Sequence, residues 1–289
     1  MVSATEIGPL WEVARRDAGF DSSDRTSLCL VPGNPGKGAA AIHLHPGSAA
    51  VREHAWPLDA GQIAALNSDA LRDGYRIMVR DLATLRVALG RLRHELEHAR
   101  QHQRSPETYE FMGVAQDVLR HAIDEKGVDC LCGSALLYNA LPHEMDANRA
   151  AARLTSSHFG GPSETELAGS GAELFRDDSP VEFATLSRRL LALTALFPDS
   201  LVKVAERRGA TGDELIESLD FNASAAWVKL SSDPTVTQWG EEVLNACPSK
   251  ALIEAAQPAS DAWLPARDNF LSGLDYALSR LNESGPGAG

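Results

Sequence analysis

Lysine and arginine are scarce in this chain relative to acid: 27 against 40 Asp and Glu among 289 residues, a formal charge of −13. A surface of that sign repels phosphate backbones and anionic headgroups, so neither nucleic-acid binding nor adsorption to a membrane is expected. No block of Lys and Arg is long enough to suggest a local basic patch. Long apolar runs are missing as well, and no segment approaches the length of a membrane span. The first twenty residues carry acid early and lack an apolar core, which argues against a signal peptide. Only four cysteines occur, Cys29, Cys130, Cys132 and Cys247. Cys130 and Cys132 stand too close for an easy disulfide, and the spacing matches no secreted framework, so a cytoplasmic protein with free thiols is expected.

The hydropathy pattern predicts an α+β chain in two parts. Short β-compatible runs at 27–31, 40–45 and 51–56 are separated by the turn clusters Pro32-Gly33-Asn34-Pro35-Gly36 and Pro46-Gly47-Ser48. A helix over about 59–72 and a strand over 75–80 should follow. The segment 32–38 lacks the Lys and Ser or Thr of a phosphate loop and reads as a turn. Asp81 is a plausible N-cap for a helix to about Gln103, in which Leu82, Leu85, Leu89, Leu92, Leu96 and Ala99 form an apolar stripe. Pro106 and Pro142 each suit the first turn of a further helix, to about Glu125 and Ser157. Residues 159–180 are rich in Gly, Ser and Thr and read as a linker. Helical patterns then recur at 183–197, 201–208, 213–219, 239–245 and 266–281. The expected division is an α+β domain at 1–160, a linker at 161–180, a helical domain at 181–284 and a disordered tail at 285–289.

The most informative string is His94-Glu95-Leu96-Glu97-His98. Two histidines four apart on a helix share a face and can bind one zinc ion, with the intervening glutamate beside a metal-activated water. At about 100° per residue, both histidines fall nearly opposite the leucine stripe, on a side shared with Val87 and Gly90. Such a helix is expected to be sandwiched, with its histidine face lining a cleft. A catalytic zinc site needs a third protein ligand and keeps one position open. Glu144, on a helix with Asn148 one turn later and small alanines at 147, 150 and 151, is the best source, with His143 its nearest competitor and Glu110 or Asp117 more remote ones. His102 extends the four-residue spacing, but three turns of one straight helix do not converge on one ion, so it is expected at the surface.

These motifs resemble the gluzincin class of zinc metallopeptidases, and the segment from Glu144 to Ala151 is similar to the Glu-x-x-Ala-Asn-x-x-Ala stretch of the ImmA/IrrE-like minimal peptidases. The resemblance covers only 93–101 and 142–154, and the gap between the pieces is long for the smallest members. It implies a zincin-like catalytic part with a small mixed sheet, one Zn2+ per chain held by His94, His98 and Glu144, and Glu95 as general base. Tyr138 is its first candidate for stabilising the oxyanion; Asp146, Asn148 and Arg100 would orient the ligands. An extended protein or peptide substrate would add to an edge strand containing Ala41, His43 and His45, although the two histidines read on their own as solvent-facing. Limited cleavage of one protein partner is the implied activity, and the C-terminal helices could bind a partner. Two rival classes are a helical di-iron-like metal protein and a peptidase fold kept as an interaction scaffold. The first needs a second Glu-x-x-His, which the sequence does not contain.

Overall fold

The computed structural model describes residues 3–30, 41–44, 74–79, 84–126, 141–161, 183–247 and 264–283. The expected strand at 51–56, the helix at 59–72 and the linker lie outside these residues. The chain is mostly helical with one small sheet, an α+β arrangement, and it divides into two compact units. No helix among the described residues is long and apolar enough to cross a membrane.

The first unit contains residues up to Arg104 and those from Asp146 to Ala172. It opens with a helix the composition did not announce, α1 (Ala4–Asp17). Its start is written in Ser3 and Glu6: the Glu6 carboxylate accepts from the Ser3 backbone N–H at 2.8 Å, half of a capping box. Ile7, Leu10, Trp11 and Ala14 then recur at helical spacing and are all buried. Strands β1 (Thr26–Leu30), β2 (Ala41–Leu44) and β3 (Tyr75–Val79) form the sheet in the order β1-β3-β2. β1 runs parallel to β3, and β2 runs antiparallel to it, with His43 opposite Ile77 and Ala41 opposite Val79. Among the described residues β2 is therefore an edge strand, paired on one side only.

Helix α2 (Leu85–Arg104) packs on α1 and on β2 and β3. Leu89, Leu92, Leu96 and Ala99 of the predicted stripe are fully buried with Ile77, Val79 and the α1 residues. Each leucine buried in this way contributes about 1.5–3 kcal/mol. Leu85 departs from the pattern and is 38 % exposed, because it begins the helix, before the stripe reaches the sheet. On the other side of α2 lies α4 (Pro142–Phe159), and a Cβ placed on Gly90 would sit 3.4 Å from the Thr155 methyl. The helix is thus sandwiched.

The second unit contains residues 105–145 and those from Glu173 onward. Its helices are α3 (Pro106–Glu125), α5 (Phe183–Leu196), α6 (Pro198–Arg207), α7 (Gly212–Ser231), α8 (Pro234–Ala246) and α9 (Leu264–Glu283). The units are not the contiguous blocks expected from the sequence. Helix α3, placed in advance with 1–160, packs instead on α5 and α6, burying Phe111, Val114, Val118 and Leu119 in the C-terminal core. Helix α7 is also far longer than the predicted 213–219, since Trp227 and Leu230 continue its buried side.

Close backbone approach makes Gly240 the most sensitive small residue of this unit. A Cβ there would stand 2.2 Å from the Leu196 carbonyl oxygen at the end of α5. Gly240→Ala is expected to lower stability by about 1–3 kcal/mol, the usual cost of overpacking, seen as an earlier urea midpoint. Cys247, a free cysteine just beyond α8, has its thiol pushed up to about 11 by burial. Against the ordinary value of 9.0, its thiolate fraction at pH 8 falls about 100-fold. Peptide mapping after iodoacetamide treatment should therefore find Cys247 alkylated much more slowly than a solvated thiol.

Candidate metal centre

Helix α2 carries three polar residues of one stripe, His94, His98 and Gln101, at spacings of four and three. They face α4, which supplies Glu144 from its first turn and Asn148 one turn later. The boundary between the two units falls inside α4, between Met145 and Asp146. Because α4 is one unbroken helix, Glu144 and Asn148 are carried by the same rod.

The two imidazoles converge. Their Nε2 atoms lie 3.1 Å apart, with the rings at 4.8 Å and nearly perpendicular. His94 Nδ1 is 3.0 Å from Asn148 Oδ1, and His98 Nδ1 is 2.9 Å from Gln101 Oε1. An amide oxygen can only accept, so each ring donates through Nδ1 and directs the Nε2 lone pair at the other ring. Two lone pairs facing at this distance repel unless a proton or a metal cation sits between them. A tetrahedral zinc with Zn–N bonds of about 2.0–2.1 Å sets two nitrogen ligands roughly 3.3 Å apart, close to the spacing seen. His94, His98 and Glu144 each offer one ligand atom within 4.8 Å of the others, the one cluster of metal-ligating side chains among the described residues. His98 and Glu144 are buried and His94 is half-buried. This donor set fits a divalent cation that takes nitrogen and oxygen ligands.

The other predicted residues fall as follows. Glu95 follows His94 on α2 and is nearly buried at 8 % exposure. His143 is buried, with Nε2 3.6 Å from Glu144 Oε1. Asp117, a remote alternative, is paired with Arg208 at 2.7 Å within the second unit. Asn148 contacts His94, and Asp146 reaches His98 through Gln101, its Oδ2 accepting from Gln101 Nε2 at 3.2 Å. Arg100 follows His98 by two residues, a rotation of about 200° that takes it off the histidine stripe, and it lies 3.8 Å from Glu97. His102 is corrected. It is buried, its Nδ1 3.1 Å from the Tyr75 hydroxyl, because β3 crosses the last turn of α2. Tyr138 and His45 lie outside the described residues. Ala41 and His43 are placed by backbone register alone, on edge strand β2.

Two participants escaped the motif reading. Gln101 is fully buried, and its signal was available as the seven-residue interval from His94. Arg93 is likewise fully buried, paired with Asp17 of α1 at 2.5 Å and with Glu97 at 2.7 Å. Burial, reinforced by the Glu97 charge, pushes the Asp146 carboxyl up to about 6. A connected polar layer thus runs from Asp17 through Arg93 and Glu97 to Asp146, Gln101 and His98. Comparison with protein-family models, curated proteins and solved structures finds no match to this chain.

Proposed function

We propose that this chain is a zinc-dependent peptidase with a zincin-like first unit, one zinc held by His94, His98 and Glu144, and Glu95 as general base. The observation that carries the reading is the pair of Nε2 atoms facing each other at 3.1 Å with the Glu144 carboxylate beside them. Three protein ligands are what catalytic zinc sites use, while structural sites close with four. A zinc ion bound there would supply a Lewis acid that brings the pKa of water to about 7 and polarises a carbonyl. The chain's own residues do the rest. Glu95 takes a proton from the water that adds to the scissile peptide carbon, then gives it to the departing amine nitrogen. Asn148 and Gln101 hold the two imidazoles by their Nδ1 atoms, which fixes ring orientation before substrate arrives. Strand β2, free on one side among the described residues, is where an extended protein or peptide segment would add by backbone pairing. The activity that suits these parts is limited cleavage of a protein partner.

Metal analysis tests the reading directly. Purified protein dialysed against trace zinc should retain one zinc per chain. Removal of an outer partner of a zinc ligand costs about 10–100-fold in affinity, so loss of a direct ligand in Glu144→Ala should cost more than about 100-fold. One zinc per chain held at undiminished affinity in Glu144→Ala would overturn the ligand set.

A further inference from the structure

Resting on that metal-site reading, the geometry points to a tautomer lock in which Asp146 and Gln101 force the His98 proton onto Nδ1 and so keep its Nε2 lone pair for the metal. The Gln101 side chain is fully buried, with no bulk water to share its hydrogen bonds. Its Nε2 donates to Asp146 Oδ2 at 3.2 Å, and its Oε1 faces His98 Nδ1 at 2.9 Å. Turning the amide over would place an oxygen against the Asp146 carboxylate and an N–H₂ against the ring. It would also move the ring proton to Nε2, where it would block a metal. Asp146 opposes that turn by accepting from the nitrogen end. The orientation of one amide therefore selects the tautomer of one ligand.

The second ring shows what is missing without such a partner. His94 Nδ1 meets Asn148 Oδ1 at 3.0 Å, but Asn148 Nδ2 is buried with no hydrogen-bond partner among the described residues. Nothing described there fixes the Asn148 amide from behind. The His98 amide partner is held from behind, whereas the amide that meets His94 has its nitrogen end unsatisfied. The spacing that builds the lock is local: Gln101 follows His98 by three residues on α2, and Asp146 sits on the facing helix two residues after the proposed ligand Glu144. Gln101 is thus a positioning residue that acts through His98.

The test is long-range ¹H–¹⁵N correlation of the histidine rings in metal-free protein at pH 8, together with zinc titration. Wild type should show His98 protonated on Nδ1, the form less favoured by a free imidazole. Gln101→Met, which keeps volume but removes both hydrogen bonds, should move that proton largely to Nε2 and weaken zinc binding by about 10–100-fold. Asp146→Ala should give a mixture of tautomers. An Nε2-protonated His98 in wild type would overturn the lock with no variant needed, as would an unchanged tautomer in Gln101→Met. A wild-type protein with His98 locked on Nδ1 that binds no zinc would uphold the lock and defeat the peptidase reading instead.

Discussion

Glu95→Gln is expected to bind zinc as tightly as wild type and to cleave peptides about 10²–10⁴-fold more slowly, the usual contribution of a positioned general base. The substitution preserves size and leaves His94, His98 and Glu144 untouched, while an amide cannot accept a proton from water. Glu95 is only 8 % exposed and follows directly on His94 in the same helix. The decisive measurement is turnover of an unstructured protein substrate by Glu95→Gln carrying one zinc per chain. Wild-type turnover would remove Glu95 from the mechanism. Loss of zinc together with turnover would instead make it a structural support of the site.

The largest expected effect on stability is at Arg93. Its guanidinium is fully buried between Asp17 and Glu97, and Glu97 is itself 4 % exposed. Arg93→Ala removes the cation and leaves the Glu97 carboxylate in a dry site beside Asp146. Breaking a buried pair from one side costs about 3–5 kcal/mol, and the Glu97 carboxylate would keep only the longer 3.8 Å contact to Arg100. Replacing Arg93 and Glu97 together by leucine should recover much of that loss, since no unpaired charge remains at 97. Urea denaturation of the metal-free proteins distinguishes the cases. Equal losses in the single and double variants would mean that packing by the long arginine stem, and not its charge, matters at this position.

Much of the site could be read from local pattern. The imidazole pair follows from spacing on a helix, and the leucine stripe opposite it predicted that α2 would be enclosed on both sides. Pro106 and Pro142 marked the starts of α3 and α4, since proline's fixed φ suits a first turn. Other features depend on contacts that no local pattern records. Helix α3 offers Phe111, Val114, Val118 and Leu119 to whichever partner is near, and its own sequence does not say whether that is the sheet or the C-terminal helices. His102 looked like a surface residue because its partner, Tyr75, lies 27 positions earlier. Arg93 carries no local signal of burial, because its partner Asp17 is 76 residues away. Helix α1 is a different case: Ser3, Glu6 and its buried positions carry the standard signals of a capped amphipathic helix.

The interleaving of the two units bears on how this chain can be cut. The first unit closes only when the α4 residues after 145 return to it, and the excursion between them carries α3 away to the other core. A fragment ending at 160 would hold every proposed ligand yet strand α3 with Phe111 and Val118 bared to solvent. A fragment ending at 104 would lose Glu144 and Asn148 altogether. The proposed ligands and the C-terminal helices are therefore tied together by the order of the chain itself.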